Sequence, residues 1–142
     1  MTDAATFLMF EKDAEEAVKF YTDTVRDAKL LSPMMFSLRD QKFYCYNGGP
    51  HFKFTEGISI YIECEDQEEV DYHWDKLVAG GGEHSQCGWL KDRFGLSWQV
   101  IPKRFMEMVQ DPDREKVGRV MDAMLKMTKF EIDELEKVYA GK

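Results

Sequence analysis

Apolar residues recur along the chain at two spacings, alternate positions for strands and near every third or fourth for helices. They do so in an order that repeats. Thr6–Tyr21 (TFLMFEKDAEEAVKFY) aligns with Ser59–Trp74 (SIYIECEDQEEVDYHW), pairing Thr6 with Ser59, Asp13 with Asp66, Glu16 with Glu69 and Tyr21 with Trp74. Each copy predicts a strand and then a helix opened by Asp-x-x-Glu, the form of a capping box. Helical spacing follows in Ala14, Ala17, Val18, Tyr21 and Val25, and again in Val70, Trp74, Leu77 and Val78. The same offset brings MMFSLRDQKFYCYN (Met34–Asn47) onto CGWLKDRFGLSWQV (Cys87–Val100), each reading as a strand, a turn and a strand. The pattern therefore predicts a strand–helix–strand–strand–strand unit present twice, about one hundred residues in all and within the size of one domain.

Strand alternation assigns the faces. In Gln86–Pro102, the most informative stretch, apolar Leu96, Trp98 and Val100 alternate with Ser97, Gln99 and Ile101. Ile58, Ile60, Ile62 and Cys64, then Phe43 and Cys45, then Phe7 and Met9 are expected to pack under the two helices. The opposite faces then carry Thr6, Leu8 and Phe10; Tyr44 and Tyr46; Ser59, Tyr61 and Glu63; and Ser97 and Gln99. If the sheet curls, this mixed aromatic and polar wall becomes a concave pocket of the kind that holds small molecules. The ligand-pocket candidates are Thr6, Tyr44, Tyr46, Ser59, Tyr61 and Gln99.

After Pro102 the pattern turns helical. Lys103–Val109 predicts a short helix, and Asp111-Pro112 reads as a cap followed by proline at the first helical position. Val117, Val120, Met121, Met124 and Leu125 form one stripe. Thr128-x-x-Glu131 has the form of another capping box, opening a helix with Ile132, Leu135, Val138 and Tyr139 on its apolar side and Gly141 at its end. These helices carry no catalytic pattern and are expected to cover a sheet edge or a subunit interface. The expected organisation is a single domain over 1–142, with module one about 4–55, module two about 56–102 and C-terminal helices about 103–142.

Composition narrows the class. At 44% hydrophobic, the 142 residues can bury a real core. A formal net charge of -8 argues against a nucleic-acid partner, whose phosphates require a basic surface. No apolar run reaches the roughly twenty residues that span a membrane, so no membrane association is expected. MTDAATFLMF lacks a basic start and a long apolar stretch, so no signal peptide is expected either. Cys45, Cys64 and Cys87 are widely spaced and form no CxxC, which points to buried reduced thiols and a cytoplasmic setting.

Few residues suggest reactive chemistry. Glu63, on the same face as Tyr61 and Ser59, is the one catalytic candidate, as a general acid or base if desolvated. His51, His73 and His84 have no ligand spacing and are expected on the surface. Cys87 can be reactive only if exposed near Lys91. Asp92 and Arg93 are expected to shape the hairpin turn, and Asn47-Gly48-Gly49-Pro50 to form a turn. Gly80-Gly81-Gly82 follows a helix and lacks the GxGxxG spacing of a nucleotide loop.

Gln86–Pro102, together with AEEAVKFYTD and NGGPHFKFTEGISIYIECEDQEEVDYHWDKL, resembles the PhnB-like family, often labelled a 3-demethylubiquinone-9 3-methyltransferase domain. That family lies in the vicinal oxygen chelate superfamily, with the glyoxalases, bleomycin-resistance proteins and extradiol dioxygenases. The resemblance implies an α+β fold of two βαβββ modules forming a curved, mixed, mostly antiparallel sheet, usually in a homodimer. Catalytic members of the superfamily chelate a divalent ion through inward-facing His and Glu. The corresponding positions here are Thr6, Tyr46, Ser59 and Gln99, all neutral, so the resemblance implies no conventional metal site and no other cofactor. The residues do not support methyl transfer either. Three readings stay open: a homodimer binding a small organic molecule, a glyoxalase- or dioxygenase-like enzyme, and a structural or interaction module.

Overall fold

The computed structural model describes residues 2–142. Two compact units divide the chain, the first ending at Phe54 and the second running from Thr55 to Lys142. The first contains β1 (Thr6–Phe10), α1 (Ala14–Thr24), β2 (Ala28–Ser32), β3 (Met35–Leu38) and β4 (Gln41–Asn47). The second contains β5 (Ile60–Cys64), α2 (Gln67–Lys76), β6 (Glu83–His84), β7 (Trp89–Lys91) and β8 (Ser97–Pro102). It continues into α3 (Lys103–Val109), α4 (Arg114–Met124) and α5 (Ile132–Tyr139). The repeat is present in the strand orders, β1-β4-β3-β2 and β5-β8-β7-β6, each sheet four-stranded. In each, the first strand pairs in parallel with the last, and the remaining pairings are antiparallel. The fold class is thus α+β, with mixed, mostly antiparallel sheets.

In the first unit the apolar stripe of α1, Ala14, Ala17, Val18 and Tyr21, is fully buried. Tyr21 lies against Phe36 (5.6 Å between ring centroids), and Phe36 stacks on Phe43 (4.8 Å). The expected face of β1 is inverted. Thr6 stands beside Phe43 and Leu8 beside Cys45 in the parallel ladder, so Thr6, Leu8 and Phe10 share the helix-side face. Leu8 and Phe10 are buried and Phe7 is 58% exposed. The cause is the strand-to-helix connection. Glu11 and Lys12 separate Phe10 from the cap residue Asp13, whereas Glu65 alone separates Cys64 from Asp66. One extra residue between strand and helix reverses which strand face meets the helix, because strand side chains alternate.

In the second unit Leu96, Trp98 and Val100 are fully buried as expected, but Ser97 and Ile101 on the opposite face are buried too, so only Gln99 of β8's other face is partly open. The hairpin is held by Asp92, itself buried. Its Oδ1 accepts from the backbone N–H of Phe94 (2.9 Å) and Leu96 (3.1 Å), and its Oδ2 from the Trp98 indole Nε1–H (2.8 Å). Gly88, just before β7, has φ +82°, and a Cβ there would meet the Phe130 ring at 2.7 Å. The tail closes onto this spot: Cys87 N–H and Gly88 N–H donate to Met127 O and Thr128 O, and Phe130 packs edge-on against Phe105.

Helix capping departs from the local pattern in three places. Asp13 makes no side-chain cap on α1; Asn47 Oδ1 accepts from Ala14 N–H instead (2.9 Å). Helix α4 starts later than the Asp111-Pro112 pattern suggests. Asp113 caps it by accepting from Glu115 and Lys116 N–H, while Asp111 accepts from Asp113 N–H. At α5 the Thr128-x-x-Glu131 box is not used. Gln67 Oε1 accepts from Ile132 N–H (2.8 Å), and Gln67 Nε2 donates to Phe130 O (2.9 Å). Asp66 caps α2 as expected, accepting from Glu69 N–H.

Three outcomes test this packing. Asp92→Ala strands two buried donors and one part-buried donor and lowers unfolding free energy by more than about 3 kcal/mol. Asp92→Asn loses less, because one amide oxygen can still serve the two backbone donors; denaturant melts compare the variants. Cys45 and Cys64 are buried thiols outside any disulfide, and burial pushes the Cys45 thiol up to about 12 from 9.0. Between those values the unfolded chain releases the Cys45 proton and the folded chain retains it, so stability falls as pH rises through that window. At neutral pH a thiol reagent followed by mass spectrometry labels the half-buried Cys87 first, and reaches Cys45 and Cys64 only on denaturation.

Candidate functional site

Strand β8 presents the candidate chemistry of the second unit. Because Trp98 and Val100 point to the helices, Gln99 points to the opposite face. In the ladder it lies between Tyr61 of β5 and Trp89 of β7. Its amide Nε2 donates to Ser59 Oγ at 3.0 Å, so Ser59, Tyr61, Trp89 and Gln99 form one patch of two aromatic rings and a hydrogen-bonded polar pair. Tyr61 is 43% exposed. Desolvation first, then the nearby Glu63 charge, raises its phenol above the usual tyrosine range. Further along the same face Lys91 pairs with Ser97 across the hairpin. A cavity of about 330 Å³ is lined there by Glu56, His84, Trp89, Lys91 and Ser97. Lys91 Nζ donates to Glu56 Oε1 at 2.6 Å, which holds the Glu56 carboxyl below its ordinary range and the ammonium above its own.

In the first unit the face away from α1 is aromatic. Tyr44 stands beside Phe7 and Met35 in its two ladders, and Tyr46 beside Met9. Tyr44 and Tyr46 are 40% and 59% exposed. Thr6 is not on this face. Its hydroxyl accepts from Gln41 Nε2 (3.0 Å) on the helix side, away from Tyr44 and Tyr46.

The six pocket candidates therefore fall into three groups. Ser59, Tyr61 and Gln99 come together in the second unit, Tyr44 and Tyr46 share a face in the first, and Thr6 lies on the other side of that sheet. The four superfamily metal positions do not fit a divalent ion. Thr6 and Tyr46 are on opposite faces of one sheet, the Gln99 amide is bonded to Ser59, and none of the four supplies a carboxylate or an imidazole. Glu63, the catalytic candidate, is exposed at the end of β5. His51 and His84 are exposed as expected, with His84 stacked on Trp74 at 4.1 Å. His73 is a correction: it is fully buried, its ring held by the Glu69 carbonyl, because its position on α2 faces the sheet with Val70 and Trp74. Trp89 and Phe7 were absent from the candidates. Trp89 alternates with buried Leu90, a signal present in the sequence, whereas all of Phe7–Phe10 is apolar and marks neither face.

Comparison with known proteins agrees with this architecture. The sequence profile of the family described as 3-demethylubiquinone-9 3-methyltransferase matches residues 31–101. A solved structure described as a putative 3-demethylubiquinone-9 3-methyltransferase, PhnB protein, from Bacillus cereus is 32% identical, with TM-score 0.64, covering 71% of this chain and 99% of its own. The chain belongs to this PhnB-like family. Another structure, of a protein from Pseudomonas aeruginosa, is 17% identical with TM-score 0.58, covering 72% of this chain and 98% of its own, a likeness of fold. No curated protein matches the chain. Among the described residues, no helix is long and apolar enough to cross a membrane.

Proposed function

We propose that this PhnB-like protein binds a small organic molecule on its outward sheet faces, as a cytoplasmic homodimer and without the metal site of its superfamily. The observation that carries the reading is the Gln99–Ser59 hydrogen bond set between Tyr61 and Trp89. Aromatic rings supply stacking area, and the amide and two hydroxyls supply orientation, the mix found in small-molecule sites. The neutral Thr6, Tyr46, Ser59 and Gln99 support a metal-free mode. The exposed Phe7 and Tyr46 support pairing of two chains, since apolar faces of this kind mark interaction surfaces.

Methyl transfer, named in the family's description, draws no support from these residues. Gly80-Gly81-Gly82 lies between α2 and β6 rather than between a strand and a helix N-terminus. Gly82 instead serves packing, since a Cβ there would meet Lys91 O at 2.5 Å. Acid–base catalysis by Glu63 needs a desolvated carboxyl, and its exposure offers none.

A thermal melt of metal-stripped protein against a panel of aromatic small molecules tests the reading. A saturable rise in midpoint without added ion is expected. Gln99→Ala and Tyr61→Ala then weaken that binding about tenfold each, and Thr6→Ala leaves it unchanged. A rise that requires a divalent ion and is abolished by Gln99→Ala would replace this reading with the enzyme one.

A further inference from the structure

On the helix side of the second sheet lies a group that the outward face does not use. Cys64 ends β5, and Glu69 and His73 follow one helical turn apart on α2. One ligand atom from each, the Cys64 sulfur, a Glu69 carboxylate oxygen and a His73 ring nitrogen, lie within 4.8 Å of one another. Cys64 Sγ is 3.8 Å from His73 Nδ1. Around a tetrahedral zinc, bond lengths of about 2.3 Å to sulfur and about 2.05 Å to nitrogen put those atoms about 3.6 Å apart. The spacing is thus close to a ligand edge before any metal enters.

We propose that Cys64, Glu69 and His73 form a Zn²⁺ site that clamps the end of β5 to α2. Four features of the fold support it. The donors are a thiol, an imidazole and a carboxylate, a set suited to a borderline-soft divalent ion and unlike the neutral set on the outward positions. Their charges balance: thiolate and carboxylate together neutralise the ion, so binding leaves no net charge in the core, and the thiol proton is released to solvent on binding. The frame is in place, because Asp66 caps the helix at Glu69 N–H, and His73 Nδ1, 3.0 Å from the Glu69 carbonyl, exchanges that contact for the ion on binding. Cys64 and His73 are fully buried while Glu69 is half-buried, so the carboxylate edge is the entry path and the place for a fourth, water ligand. Since β5 alternates, the site is on the opposite side of the strand from Tyr61 and Glu63 and is independent of ligand binding there.

Co²⁺ alone, titrated into reduced, metal-stripped full-length protein, tests the site by its absorption spectrum. One equivalent is expected to bind with a thiolate-to-cobalt charge-transfer band, and one equivalent of Zn²⁺ to bleach it. Cys64→Ser removes the band, Cys87→Ser retains it, and Glu69→Gln weakens binding by at least about tenfold. A rise in melting midpoint with Zn²⁺ that Cys64→Ser abolishes and Gln99→Ala does not belongs to this site. Absence of the band, or a band that survives Cys64→Ser, overturns the proposal. If Cys64→Ser fails to fold, Glu69→Gln decides, and an unchanged Co²⁺ affinity overturns it.

Discussion

The buried carboxylate of Asp92 sets the geometry on which the second unit depends. It closes the turn between β7 and β8 through two backbone N–H groups and takes the indole N–H of Trp98, the largest fully buried side chain. A buried carboxylate is costly unless its oxygens are bonded, and here both are, so the turn and the tryptophan can adopt only the one arrangement. With Trp98 held inward, pleating sends Gln99 outward between Tyr61 and Trp89. The chemistry of the outward face is therefore a consequence of a structural acid on the turn.

A second constraint is the way helix ends are satisfied. Helix α1 receives its cap from Asn47, at the end of β4, and α5 from Gln67, at the start of α2. Each bond satisfies an orphan backbone donor and at the same time ties distant segments together. Gln67 joins the tail to the second module at both Phe130 and Ile132. Arg104 adds a two-toothed pair with Glu136, at 2.7 and 3.2 Å, linking α3 to α5. The tail is thereby packed as part of the second unit, with Gly88 shaped to admit the Phe130 ring.

At the four positions that correspond to the superfamily's metal ligands the chain carries Thr6, Tyr46, Ser59 and Gln99, with no carboxylate or imidazole among them. The residues with metal-binding chemistry, Cys64, Glu69 and His73, gather instead under the helix of the second module.

The sequence by itself determined the repeat, the order of strands and helices, the buried face of β8, the turn role of Asp92 and the family. The first three rest on local periodicity, which is written into adjacent residues, whereas the turn and the family rest on the particular residues of Gln86–Pro102 and the strings that accompany it. Only the tertiary structure decided the face of β1. All of Phe7–Phe10 is apolar, so alternation is silent there, and the register against β4 together with the extra loop residue settles which side chains meet α1. The non-local caps were decided in the same way. Asn47 and Gln67 reach their helices from far along the chain. His73 differs: it stands three residues after Val70 and four before Leu77, on the apolar stripe itself, so the helical spacing already held the signal for its burial.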